Sequence, residues 1–230
     1  MKRFWKEVSV EPEGDSWIIR LDGRPVRTPG KASLTLRFQP LAQAIAEEWR
    51  DVEGEIDPRS MPLTGLANAA IDRVAPDQAA FAQGLGRYAE ADLTCYRAEG
   101  PPGLIERQAE QWDALLGWAR RRYDLDFVTT SGLIHVAQPP ATVERLTHEV
   151  AALDPFHLAG LSPLVTIGGS LIGALAVLER AISPDDAWDA VSLDERWQLD
   201  QWGADAEAAT ALDNRRRDFL ASAQFLELLN

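Results

Sequence analysis

A change in hydrophobic period near residue 40 constrains the fold more than any other feature of the sequence. In residues 16–38, SWIIRLDGRPVRTPGKASLTLRF, apolar and polar side chains alternate, which is typical of half-buried β-strands. The Asp22-Gly23 pair between two such runs is a hairpin signal, because both residues tolerate the positive φ of a two-residue turn. This stretch therefore predicts an antiparallel β-meander.

After residue 40 the apolar side chains recur three or four positions apart, as on one face of a helix. Leu41, Ile45 and Trp49 begin the pattern, and a longer helix is expected after the Pro-Pro-Gly break at residues 101–103. The chain reads as helical from Pro140 to its end. The fold class predicted is therefore α+β.

The order of these patterns predicts two domains. A small N-terminal antiparallel β-rich domain is expected over residues 1–75, followed by a larger mainly helical domain over residues 76–230. One further strand candidate, FVTTSGLIHVAQ at residues 127–138, is expected to join the N-terminal sheet.

The uncharged run 158–178 is about long enough, at roughly 20 residues, to cross a bilayer. Pro163 and the Gly168-Gly169 pair interrupt it, and it is rich in small residues. A broken apolar run of this kind favours a buried core helix. No integral membrane segment is therefore predicted.

The charge balance excludes one class of partner. Lys and Arg number 23 against 36 Asp and Glu, which gives a formal net charge of −13. Binding to nucleic acid needs a basic face, so no nucleic acid is expected as a partner. Ten of the acidic residues fall in residues 179–213, and an electrostatic partner should meet this segment through a basic surface.

Catalytic and cofactor motifs are missing from the sequence. The stretch GGSLIG lacks the second glycine of a nucleophile elbow, and no glycine-rich loop fits a nucleotide. Three histidines without ligand spacing and the single Cys95 do not make a metal site. The sequence thus predicts no cofactor, no metal and no catalytic residues. A lone cysteine and a start without a signal or transit peptide indicate the cytoplasm.

The stretch DERWQLDQWGADAEAA, residues 194–209, places two tryptophans among five carboxylates. Ser192 followed by Glu195 fits a capping box, so a helix is expected to begin at Leu193. At about 100° per residue, Glu195, Gln198 and Trp202 share one side of that helix.

Three interpretations of this helix remain open from the residues alone. In the first, Glu195 only closes the capping box and Trp202 belongs to the core. In the second, Glu195, Gln198 and Trp202 form a contact face for a protein partner. In the third, tryptophans and carboxylates line a polysaccharide cleft of a hydrolase, although acids on one helix cannot easily lie on opposite sides of a bond.

Several stretches, taken in order, resemble one known family. They are RFWKEVSV, WIIRLDGRPVRTPGK, MPLTGLANAAIDRV, DLTCYRAEGPPGLIERQAEQWDALLGWA, SGLIHVAQP and DERWQLDQWGADAEA. Together they are similar to the assembly chaperones of the F-type ATP synthase that bind the free alpha subunit, the Atp-twelve type. The resemblance runs from about residue 3 to the C-terminus, and LDGRPVRTP, CYRAE and WQLDQWG are its most specific parts.

The resemblance implies a protein without enzymatic activity that binds unassembled alpha subunit and releases it on assembly with beta. It implies a bacterial cytoplasmic location here and the mitochondrial matrix in eukaryotic relatives, with a monomer favoured. An interaction domain with another client is the remaining alternative. The partner-binding residues that it implies are Asp194, Glu195, Gln198, Trp202, Asp205 and Glu207, with Gly203 in the same motif.

Gly65 departs from the family pattern, in which arginine is expected at this position. A polar contact made from this residue in relatives is therefore not expected in this chain.

Overall fold

The computed structural model describes residues 2–132, 134–203 and 206–230. The chain forms two compact units. The first comprises Met1–Gln78, Asp154–Gly160 and Gln224–Asn230, and the second comprises Ala79–Leu153 and Leu161–Ala223. Antiparallel strands come first and mainly helices follow, which confirms the predicted α+β class. Independent folding of residues 1–75 and 76–230 as domains stays a prediction.

The sheet of the first unit is the predicted meander. β2 lies at its centre and pairs antiparallel with the three other strands. Asp22 (φ 48°) and Gly23 (φ 76°) form the two-residue turn between β2 and β3, as predicted. The strands are β1 (Val8–Glu13), β2 (Ser16–Leu21), β3 (Arg24–Pro25) and β4 (Thr35–Leu36).

Helices of the first unit cover this sheet and continue the chain. α1 (Gln39–Arg50) buries Leu41 and Ile45 completely, in agreement with the helical spacing of its apolar residues. α2 (Pro62–Ala69) runs on into a π-helical segment, Ala70–Val74. The Glu48 carboxylate of α1 accepts hydrogen bonds from the first backbone N–H groups of α2, Leu63 N at 2.7 Å and Thr64 N at 2.8 Å. This contact fixes the two helices to each other.

The second unit is mainly helical. Its helices are α3 (Gln78–Gly86), α4 (Pro102–Tyr123), α5 (Pro140–Ala151), α6 (Pro155–Gly168), α7 (Leu171–Leu178), α8 (Pro184–Val191), α9 (Leu193–Trp202) and α10 (Ala206–Glu227). Of these, α3, α6 and α10 have some of their residues in the first unit. α4 follows the Pro-Pro-Gly break, as predicted, and it buries Trp112, Leu116 and Ala119 completely.

The uncharged run 158–178 forms two helices rather than one. α6 ends at Gly168, and Gly169 takes a positive φ of 65° before α7 begins. Every residue of α7 before Leu178 is buried, so the predicted core position is confirmed. Within the described ranges, no helix has both the length and the apolar character needed to cross a membrane.

The strand expected in residues 127–138 does form, but its predicted pairing is wrong. β6 (Thr130–Ser131) pairs in parallel with β5 (Tyr96–Arg97) of the second unit and not with the N-terminal sheet. The buried Gln138 side chain occupies both backbone groups of Val128, accepting from its N–H at 3.0 Å and donating to its carbonyl at 2.8 Å. These two bonds hold the segment just before β6 to Gln138 of the same unit.

Candidate functional site

The predicted contact helix, α9, begins at Leu193 as expected, but the capping box is wrong. The Ser192 hydroxyl donates to the Trp188 carbonyl of the preceding helix at 2.7 Å, and it accepts no hydrogen bond from the first turn of α9. Ser192 directly follows the last turn of α8, so a carbonyl of that turn is within reach of its hydroxyl. Glu195 is consequently available for another contact.

Asp194 joins the start of α9 to α4 and to the segment before it. Its Oδ1 accepts from Gln108 Nε2 at 2.7 Å, and Gln108 Oε1 accepts from the backbone N–H of Ala98 at 2.8 Å. Gln108 is buried and Asp194 half-buried, and this burial raises the pKa of the Asp194 carboxyl group. One glutamine thus connects two of the stretches that carry the family resemblance, residues 92–119 and the α9 motif.

Trp197, the first tryptophan of the motif, packs within the second unit. The Arg107 guanidinium lies 4.9 Å from the centroid of its ring, which is a cation–π contact. A Cβ atom on Gly103 would lie 3.0 Å from the Trp197 ring, so the indole fits against α4 because position 103 has no side chain. This tryptophan therefore has a structural role.

Glu195 pairs with Arg215 of α10 through both carboxylate oxygens. The distances are 2.9 Å from Nη1 to Oε1 and 2.5 Å from Nη2 to Oε2. Both side chains are close to half exposed, so this ion pair is screened by solvent. It orients α9 against α10 while leaving Glu195 near the surface.

Trp202, the second tryptophan, is 81% exposed, and the interpretation of it as a core residue is wrong. It is the last residue of α9, and Gly203 follows it with a positive φ of 84°. The Gly203 N–H donates to the Leu199 carbonyl at 3.0 Å, which closes the last turn of the helix. Gln198, one turn before Trp202, is exposed as well.

We call the exposed residues at this place the α9 end; they are Gln198, Asp200, Gln201 and Trp202. The structure brings Asp194, Glu195, Gln198 and Trp202 together on one helix, with the first two bound to their own chain and the last two open to solvent. Glu207 is exposed in the first turn of α10, and Asp205 lies outside the described residues. The partner-binding role of all six residues stays a prediction.

Two residues that determine the geometry of α9 were missed in the sequence. Gln108 is a polar residue at a buried position of an amphipathic helix, a pattern that signals a satisfied internal hydrogen bond. Arg215 belongs to the run Arg215-Arg216-Arg217 that follows the acidic segment, so charge compensation could have pointed to it. Arg216 also pairs with an acid of that segment, Asp185, at 2.6 Å.

Comparison with known proteins identifies the family. The profile of the ATP12 chaperone protein family matches residues 2–120, just over half of the chain. The crystal structure of Atp12 from Paracoccus denitrificans superimposes with a TM-score of 0.94 at 44% identity, over 100% of this chain and 98% of the other.

Two further relatives are similar over nearly the whole chain. The protein Atu1473 from Agrobacterium tumefaciens gives a TM-score of 0.94 at 35% identity, covering 100% of this chain and 86% of its own. The mitochondrial protein atp12 of Schizosaccharomyces pombe is 27% identical over 242 residues, 98% of this chain and 81% of that protein. The chain belongs to the ATP12 chaperone family.

Proposed function

We propose that the chain is an assembly chaperone for the catalytic head of the F-type ATP synthase. It binds unassembled alpha subunit through the α9 end and releases it when alpha assembles with beta. The observation that carries the proposal is Trp202, whose indole is 81% exposed on a helix held by its other side chains. Membership in the ATP12 chaperone family supports it.

The chemistry of the α9 end suits a protein partner. Exposed aromatic side chains next to polar groups are typical of the residues that dominate binding energy at interfaces. α9 is already fixed through Asp194, Glu195 and Trp197, so little conformational entropy is lost when a partner covers Trp202. An exposed apolar surface on unassembled alpha subunit would aggregate without such a cover.

The charge of the second unit suits reversible binding. Acidic residues precede and follow α9 in the sequence, within residues 179–213, and they would attract a basic surface of the client and speed its capture. Exposed charges add little to affinity, so the complex stays moderate in strength. Beta then displaces the chaperone by binding the same surface of alpha more tightly.

The hydrolase alternative is not favoured by this geometry. Two acids must flank a glycosidic bond on opposite sides. Asp194 instead accepts a hydrogen bond from Gln108, and Glu195, its neighbour on the same helix, is paired with Arg215. We propose that the chain acts by binding alone, without catalysis or a cofactor. We place it in the bacterial cytoplasm, where its buried free thiol, Cys95, stays reduced.

The test is co-expression of the chain with the alpha subunit of its own organism, and separately with beta, followed by size-exclusion chromatography. We expect a complex with alpha alone, and we expect it to dissociate when purified beta is added. Absence of a complex with alpha, or a complex that persists in the presence of excess beta, would contradict the proposed function.

A further inference from the structure

The first unit contains an apolar cavity of about 540 Å³ that the proposed function does not use. Its volume lies within the usual range for ligand sites, roughly 300–1,000 Å³. The wall comes from the β2–β3 hairpin, the loop after it, α1, α2 and the segment between them. Its lining includes Phe4, Arg24, Arg27, Trp49, Gly65 and Asn68.

The cavity is fixed by hydrogen bonds within the first unit. Asp72 holds the loop at its rim, accepting from the Thr28 hydroxyl at 2.7 Å and from the Gly30 N–H at 2.8 Å. Glu48 holds the start of α2 to α1, as described above. The walls are therefore already formed before a ligand binds, and binding needs no large rearrangement of the backbone.

The charge of the cavity is opposite to that of the chain. Arg24 and Arg27 are exposed at its rim, and no Asp or Glu is among the described residues that line it. The chain as a whole has a net charge of −13. An occupant that combines an apolar side chain with a carboxylate would match both the wall and the rim.

Among the described residues, two side chains of the wall have buried polar atoms without a hydrogen-bond partner. One is a donor, Trp49 Nε1, and the other is an acceptor, Asn68 Oδ1. An unsatisfied buried polar atom lowers the stability of a fold, so such atoms are uncommon without a functional reason. A backbone amide of a bound peptide carries both missing groups, a carbonyl for the indole and an N–H for the amide oxygen.

Phe4 extends the apolar surface beyond the cavity. Its side chain is 62% exposed beside the opening, and its ring lies edge-on to that of Trp5, 5.1 Å between centroids. An exposed aromatic ring at the edge of an apolar cavity enlarges the surface that a peptide covers. A segment longer than one side chain can therefore be bound.

We propose that this cavity binds a short extended segment of the client, with a large apolar side chain in the cavity and a flanking carboxylate at Arg24. This would be a second contact with the client, in the first unit, whereas the α9 end belongs to the second unit. The proposal rests on the proposed function, because it takes the client to be a protein. Phosphate-rich ligands fit it less well, because they would leave the apolar wall uncovered.

The first experiment measures fluorescence anisotropy of labelled peptides with the full chain. The probe has leucine and phenylalanine at its centre and aspartates on both sides, and the matched probe has lysines in place of the aspartates. We expect the aspartate probe to bind at least about tenfold more tightly, since like charges at the rim would repel the other. Raised salt should reduce this difference.

A filled cavity provides the decisive variant. Position 65 lies in α2, and a Cβ atom there would meet no described atom within 4 Å, so Gly65→Leu introduces an apolar side chain at the wall from an open position. We expect peptide binding to be lost while the melting temperature is unchanged or higher, because leucine favours a helix more than glycine. Gly84→Leu is the matched control, since Gly84 is equally open but lies in α3, away from the cavity.

A charge reversal separates local complementarity from net charge. Arg24→Glu leaves one charge of each sign at the rim, the new carboxylate and Arg27, and should remove the preference for the aspartate probe. Arg37→Glu changes the net charge by the same amount at an exposed position outside the lining, and it should leave the preference as it was.

The inference is overturned if both peptides bind equally, or if Gly65→Leu leaves peptide binding intact. It is also overturned if the chain binds neither peptide but self-associates, and Gly65→Leu abolishes that self-association. The last result would assign the cavity to a second copy. The chromatographic test with alpha subunit is independent of these outcomes. A complex with alpha that Gly65→Leu does not weaken, together with no peptide binding, would refute the cavity proposal and leave the proposed function standing.

Discussion

Two carboxylate sites in the second unit show how differently the same side chain is used. Asp92 is fully buried and accepts four hydrogen bonds, from Thr94 N, Thr94 Oγ1, Ser170 Oγ and Ile172 N, at 2.8–3.0 Å. Glu195 of α9 is about half exposed and has one charged partner, Arg215.

The number of internal partners separates the two sites. All acceptor positions of Asp92 face its own chain, where it joins the segment before β5 to the start of α7, so a partner cannot reach it. The α9 carboxylates keep free acceptor positions towards solvent. In a chain with 36 acidic residues, burial and internal partners therefore distinguish the carboxylates that stabilise the fold from those available to a client.

The largest effect should come from Asp92→Asn, which tests whether the buried carboxylate stabilises the fold. An asparagine places an NH₂ group where one carboxylate oxygen accepts, so at least one buried donor loses its partner. We expect the free energy of unfolding to fall by about 1–3 kcal/mol, measured by urea denaturation. Asp200→Asn, at an exposed position of α9, is the control. Equal stability of the two variants would show that the buried network contributes nothing.

Trp202→Ala should have the next largest effect, on binding and not on stability. Loss of a central aromatic contact typically weakens a complex by about 2 kcal/mol, roughly thirtyfold, as measured by titration calorimetry with alpha subunit. The melting temperature should not change, because the indole is 81% exposed. Ile134→Ala removes another side chain that is 80% exposed and should leave binding intact. Equal binding by the two variants would contradict the assignment of the α9 end.

Glu195→Gln tests how much the exposed ion pair between Glu195 and Arg215 contributes to stability. Because Glu195 pairs with Arg215 near the surface, its loss should lower the free energy of unfolding by only about 0.5 kcal/mol. Arg215→Gln should have the same effect, and the double variant should add little to either. Denaturation of the three variants gives the coupling energy. A loss near the upper end of about 0.5–2 kcal/mol would indicate a helix cap instead.

The smallest effect is expected from Asp194→Asn, as a change in pH dependence. Burial holds the pKa of Asp194 above its usual value, so this group binds a proton more readily in the folded than in the unfolded chain. Its contribution to stability is therefore present at low pH and is lost as the pH rises through the folded-state pKa. Asparagine can still accept from Gln108 and does not titrate.

For this variant we expect a slightly higher urea midpoint at neutral pH and a smaller fall in stability between acid and neutral pH than in the parent chain. The matched control is Asp213→Asn, which removes the same charge from an exposed position of α10. A midpoint at neutral pH that falls below that of the parent would mean that the Asp194 charge itself is required.

Local patterns in the sequence predicted most of the local structure. The Asp22-Gly23 turn and the burial of α7 follow from residue spacing and chain conformation alone. The start of α9 at Leu193 was predicted correctly, although the capping box on which that prediction rested does not form. Pairings between distant residues could not be predicted in this way. Whether β6 joins one sheet or another depends on backbone groups far apart in the chain. The spacing of apolar residues along the sequence carries no information about such pairings.

The same limit applies to the candidate site. Helical spacing placed Trp202 on the face of Glu195, but exposure depends on what other helices bring to each indole. Trp197 meets Gly103 and Arg107 of α4, whereas Trp202 extends beyond its neighbours. The two tryptophans look alike in sequence and differ in structure for that reason.

The Gln108 contact restricts how this chain can change by mutation. Gln108 uses its amide oxygen for the Ala98 N–H and its amide nitrogen for Asp194, so neither end can be exchanged alone. A glutamate at position 108 would place two carboxylates together, and only a simultaneous change of Asp194 to a donor would relieve the repulsion. An acidic replacement of Gln108 therefore requires a second change at Asp194, 86 residues away in the chain, whereas Asp194→Asn alone keeps its contact with Gln108.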